Sequence, residues 1–166
     1  MPLPTPVIEN YRMNVGILNA ILGKTPESIF AAVPTEGMKP AAWQLGHIIY
    51  SLAGAAAILG KPVELSMDYA AKYGMGTPPP DADATYESME TMSKDLDTAI
   101  KAVDNAITTV DDARLAEPEP NAMMQQAGIT TIGSMATFLT TGHLTYHVGY
   151  LASCRRAHGE PSALGF

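Results

Sequence analysis

The chain has 166 residues, of which 46% are hydrophobic and only 16% charged, a composition that gives one ordinary globular domain and excludes a disordered chain. Its formal net charge of −7 argues against a nucleic-acid partner, which needs a clustered excess of Lys and Arg. The single cysteine, Cys154, excludes an intrachain disulfide and suits a reducing compartment.

The opening residues MPLPTPVIEN carry neither the basic nor the apolar region of a secretory signal. The longest apolar stretch, Leu45 to Leu59, is broken by His47, Ser51 and two glycines and is too short to span a bilayer. A soluble cytoplasmic protein is the expectation, with a small-molecule substrate and neither a nucleic-acid nor a membrane partner.

Thr5-Pro6 reads as an N-cap followed by proline at the first helical position. Val7, Tyr11, Val15, Leu18 and Leu22 then recur at helical spacing, and Gly23 closes the first long helix, Pro6 to Leu22. Thr25-Pro26-Glu27 opens a short turn of helix towards Ala32. The second long helix runs from Pro40 to Leu59, with Gly60 and Pro62 beyond it. Its stripe of Trp43, His47, Tyr50 and Gly54 puts His47 on the buried face, with Trp43 one turn earlier as a candidate pocket wall.

Lys61 to Asp83 is a long connection containing Pro62, Pro78, Pro79 and Pro80 and the glycines Gly74 and Gly76. Crossing a bundle about 30 Å long takes on the order of ten extended residues, so this connection lets the second and third long helices run parallel. Leu65 to Tyr73 is read as a short helix or lid. Asp68, Tyr69 and Tyr73 are read as solvent-exposed, with a place at a pocket mouth as the alternative. The third long helix, Tyr86 to Val110, has Met89, Met92, Leu96, Val103, Ile107 and Val110 inward. Glu87, Glu90, Lys94, Asp97, Lys101 and Asp104 face water.

A second connection, Asp111 to Thr130, holds the mobile-looking run NAMMQQAG. The fourth long helix lasts from Thr131 to Ala157 and stops at Gly159. Arg155 and Arg156 near its end complement the helix macrodipole.

The chemistry concentrates in GHLTYHVGYLASCRR, residues 142–156. His143 and His147, four residues apart, stack on one helix face and could share a metal ion. His47 is the third candidate. Each of the three also has a plainer reading as a hydrogen-bonded core residue. Three histidines aimed into a bundle would leave one position of a tetrahedral metal open, and neutral imidazoles suit zinc, nickel or iron. Cys154 lies two turns past His147, about 10 Å along the axis, and reads as a buried non-ligand. His158 is expected to be exposed. No Gly-rich phosphate loop, nucleophile elbow or Cys-x-x-Cys pair occurs.

Trp-x-x-Gly-His at Trp43 to His47, and His-x-x-x-His-x-Gly-x-Leu at His143 to Leu151 followed by Arg155, Arg156 and Gly159, resemble the DinB-like superfamily of metalloenzymes, which includes the YfiT-type proteins. The resemblance implies an all-α four-helix bundle of up-down-down-up topology, with long connections between helices two and three and between three and four. It implies a homodimer and a divalent-metal site, zinc or nickel first and iron next, with His47, His143 and His147 as ligands. Family members of assigned activity are thiol-dependent transferases and isomerases that use bacillithiol, mycothiol or glutathione. The metal there would acidify the low-molecular-weight thiol. Many relatives have Gly-Gln-Leu where this chain has Gly149-Tyr150-Leu151, so the substrate does not carry over.

Three functions follow as expectations. The first is a metal-dependent thiol S-transferase, with Tyr50 and Tyr150, each one turn after a ligand histidine, as polar pocket residues. The second is a non-catalytic bundle that binds a metal, a small molecule or a partner protein. The third is a hydrolase using metal-bound water, with Glu64 or Asp68 as its base.

Overall fold

The computed structural model describes residues 3–77 and 84–165; Pro78, Pro79, Pro80 and Asp83 lie outside them. Four long helical stretches and several short helices account for most of these residues, and no β-strand occurs among them. Helix α1, Thr5–Leu22, starts at Pro4 without a side-chain cap, so Thr5 is inside the helix and not at its cap. The fixed φ of Pro4 and Pro6 sets the first turn instead. A single turn, α2 (Glu27–Phe30), follows.

The central element is α3, Ala41–Ile58, which is buried through most of its length. A helix that is apolar nearly all round needs neighbours on several sides. Here α4 (Tyr69–Tyr73), α5 (Met89–Thr109) and α9 (Leu144–Ala157) supply them. The small residues Ala55 and Ala56, both fully buried, allow that close packing. Gly60, at φ 82°, takes the left-handed conformation that lets the chain turn away after α3.

The stretch after α3 folds back onto the core. Asp68 caps α4 by accepting from Ala70 N and Ala71 N. Tyr69 and Tyr73 are buried, contrary to the expectation of solvent exposure. The cause lies on and just before α5. Asp95, itself buried, accepts hydrogen bonds from Ser66 N, Ser66 Oγ and the Tyr69 hydroxyl at 3.1, 2.5 and 2.7 Å. Glu87, expected to face water, accepts from the Tyr73 hydroxyl at 2.8 Å and pairs with Lys72 at 3.1 Å.

Beyond α5, the chain forms α6 (Asp112–Ala116) and α7 (Ala122–Gln126), capped by Asp111 and Asn121. The run expected to be mobile is therefore partly helical. The predicted fourth helix is divided: α8 (Ile132–Phe138) opens with a Thr131–Ser134 capping box, a π-helical turn covers Leu139–His143, and α9 follows.

Hydrogen bonds give the relative chain directions. Lys39 with Tyr150, Gln44 with His147 and His47 with His143 pair rising with falling numbers, so α3 and α9 are antiparallel. Leu3 with Ile107 and Tyr11 with Ile100 do the same for α1 and α5. Arg114, just past α5, donates to the Ile58 carbonyl at the end of α3, so these two helices finish at the same end. Arg155, in the last turn of α9 as read, is buried. Its guanidinium donates to the Lys24 and Pro161 carbonyls and faces Glu160 at 3.7 Å, tying the tail to the end of α1.

Candidate metal centre

Three helical segments bring His47, His143 and His147 together: α3, the π-helical turn and α9. Their ring centroids are 5.2, 4.6 and 4.5 Å apart, and one ligand nitrogen from each lies within 4.8 Å of the others. His47 Nε2 and His143 Nε2 are 3.2 Å apart. Two nitrogens bound to one tetrahedral zinc sit roughly 3.3 Å apart, given bonds of about 2.0–2.1 Å. The spacing therefore suits shared ligation.

Hydrogen bonds behind the rings fix which nitrogens face the cluster. His47 Nδ1–H donates to the Tyr73 carbonyl at 2.6 Å, and His147 Nδ1–H donates to Gln44 Oε1 at 2.8 Å. In the neutral rings those bonds leave the Nε2 lone pairs free, as ligation requires. Trp43 stacks on His47 at 5.1 Å with the ring planes 10° apart, which locks the imidazole orientation from its other face. Phe138 meets the His143 ring edge-on at 5.4 Å.

Burial holds all three imidazoles below their ordinary range, to about 4 for His143 and about 3 for His147. The neighbouring histidines push His143 and His147 down further. For His47 the bond to Tyr73 opposes the shift, while Lys39 adds to it. At neutral pH the cluster therefore presents uncharged donors.

Gly46, inside the Trp-x-x-Gly-His stretch, has a packing reason. A Cβ there would stand 2.6 Å from the Tyr73 ring, so only glycine lets that ring lie across α3 and bring its carbonyl to His47.

A cavity of about 350 Å³ opens beside His47 and His143. Its walls are mainly Ile58, Met75, Met124, Met135, Phe138 and Leu139, with Tyr50, Ser51 and Gly54 along α3. Tyr50 thus lines the cavity, with its ring 6.0 Å from that of His47. Tyr150 does not line it: its hydroxyl accepts from Lys39 N at 3.0 Å, towards the start of α3. Trp43 backs the His47 ring and is not part of the cavity wall. Glu64 is exposed and Asp68 is spent as a helix cap, so neither lies in the cavity. Cys154 is buried against the Lys39 carbonyl, and burial pushes its thiol up to about 11. His158 is half-buried and donates to the Ala32 carbonyl at 3.4 Å, correcting its expected exposure.

Sequence reasoning missed Gln44, whose amide inside an apolar helix one turn before His47 was a usable signal. It also missed the Tyr73 carbonyl, which carries no side-chain signature.

Fold and site together define a helical protein that gathers three neutral histidines beside an apolar cavity, a grouping able to hold a metal ion. The family model described as the DinB superfamily matches residues 12–151, and the chain belongs to that superfamily. The match includes all three histidines and stops before Arg155. A comparison with curated proteins gives no match. Among the described residues, no helix is long and apolar enough to cross a membrane.

Proposed function

We propose that the protein is a divalent-metal enzyme of the thiol S-transferase type, with His47, His143 and His147 as the ligands. The observation that carries this reading is the cavity beside His47 and His143, which gives a small molecule access to the open side of the cluster. A divalent ion there, zinc or nickel in the first instance, supplies Lewis-acid polarisation and acidifies a thiol presented to it. The protein's own part is to hold three uncharged imidazoles in one tautomer, keep Trp43 against His47, and exclude water with the methionine-rich wall.

Four long helices in up-down-down-up order belong to the same proposal, supported by the antiparallel α3/α9 and α1/α5 pairs and the common end of α3 and α5. A cytoplasmic location is supported by the lone buried thiol, and a homodimer by membership of the superfamily.

The hydrolase reading loses its support, because no carboxylate lines the cavity among the described residues. A non-catalytic binder is the second reading. It is favoured by a lining in which, among the described residues, Tyr50 is the sole titratable side chain besides the histidines. Metal analysis of untagged protein, followed by titration with small thiols, separates the two. About one metal per chain, lost in His47→Ala and His143→Ala with helical content kept, and a spectral response to thiol are expected. Failure to take up zinc or nickel would sink the metal-site reading, and metal without any thiol response would favour the binder.

A further inference from the structure

The cavity has a chemical character that the histidines alone do not specify. Among the described residues, its wall is drawn from α3, α7, α8, the π-helical turn and Met75 just after α4, and none of these contributes a Lys, Arg, Asp or Glu to it. A charged body placed there would lose hydration and meet no counter-charge. Met75, Met124 and Met135 supply flexible, polarisable surface that adapts to the outline of an apolar guest. The polar atoms are few. Ser51 Oγ–H already donates to the His47 carbonyl at 2.7 Å, while the Tyr50 hydroxyl has no partner among the described residues. The net charge of −7 further disfavours an anion.

We infer that this cavity takes an uncharged, largely apolar small molecule, about two to three rings in size, with one polar head group directed at His47, His143 and the Tyr50 hydroxyl. The size follows from the volume: a cavity of roughly 150 Å³ accepts benzene, and this one is about 350 Å³. The direction of the head group rests on the metal-site reading above, whereas the class of the ligand rests on the lining. A carboxylate-bearing thiol such as glutathione is mismatched to this wall, so within a transfer reaction the cavity belongs to the other, apolar substrate.

The test is fluorescence titration of the whole protein with N-phenyl-1-naphthylamine, which is neutral, against 8-anilinonaphthalene-1-sulfonate, which carries the same ring skeleton and an added anion. Gly54→Leu supplies the cavity-blocked variant. A Cβ at Gly54 meets nothing within 4 Å, and leucine is a better helix former than glycine, so the side chain fills cavity space without breaking α3. Met75→Glu, at a residue 58% exposed, places a charge on the wall without touching the core.

The neutral probe should bind with blue-shifted emission, and about tenfold or more tighter than the sulfonate. Gly54→Leu should weaken the neutral probe by about tenfold or more. Met75→Glu should weaken both probes, the anion more. Equal binding of the two probes, or neutral-probe binding unchanged in both variants, overturns the inference. Metal uptake is measured on the same preparations. Probe binding without metal uptake upholds the apolar ligand class and sinks the metal-site reading. Metal uptake without probe binding overturns the inference and leaves the metal site standing.

Discussion

Gln44 is a buried amide whose Oε1 accepts a hydrogen bond from His147 Nδ1–H, and that bond decides which face of the imidazole meets the cluster. Gln44→Leu keeps the apolar packing of α3 and frees the ring to turn or change tautomer. Metal affinity, measured by chelator competition, should fall about 10- to 100-fold with helical content unchanged. An unaltered affinity would mean that Gln44 does not orient the ring. Gly46→Ala acts differently, since its Cβ would lie 2.6 Å from the Tyr73 ring. The overpacking should cost roughly 1–3 kcal/mol in a urea melt. Alanine gains about 1 kcal/mol of helix propensity, so a variant more stable than the parent would show that the Tyr73 ring yields easily.

Elements carry the site through two devices. The first is the clasp on Asp95, which accepts from Ser66 and Tyr69 and holds the stretch after α3 against α5. Asp95→Ala strands the buried Tyr69 hydroxyl and should destabilise by roughly 3 kcal/mol, read as a lower denaturant midpoint. A change under about 0.5 kcal/mol would place the clasp among surface effects. The second device is the π-helical turn at Leu139–His143, which shifts helical phase so that Phe138 and Leu139 face the cavity together with His143. Periodicity made the long helices legible, because apolar residues at spacings of three and four persist over five turns or so in α1, α3 and α5. The π turn was invisible to it, since five residues are too few to tell one period from another. The short helices α6 and α7 escaped for a related reason: neither buries a residue, so neither leaves an apolar stripe. His143 and His147 were legible as a pair from spacing. Their meeting with His47, almost a hundred residues away, rested on resemblance alone, because no local pattern records which helix packs on which.

At the scale of the whole molecule, the buried cluster makes stability depend on pH. In the metal-free protein His143 and His147 titrate at about 4 and about 3, below the ordinary 6.5, because burial disfavours their charged forms. The unfolded chain therefore takes up protons first as pH falls. Stability should be full above about 6.5 and decline towards about 3, with the slope set by the protons the unfolded state binds in excess. Urea melts at a series of pH values between 7 and 4 should show that decline, and His143→Ala should reduce its steepness. A flat profile would mean that the imidazoles are solvated in the native state. The bond from His47 Nδ1–H to the Tyr73 carbonyl has a wider consequence. It makes the order of residues 61–77 and occupancy of the histidine cluster thermodynamically reciprocal: whatever steadies one steadies the other by the same factor. Protease cleavage within 61–77 is then a gauge of the site, slowed when the cluster is filled and quickened when the Asp95 clasp is cut. A backbone carbonyl, with no side chain for selection to mark, connects the chain's longest excursion to its chemistry.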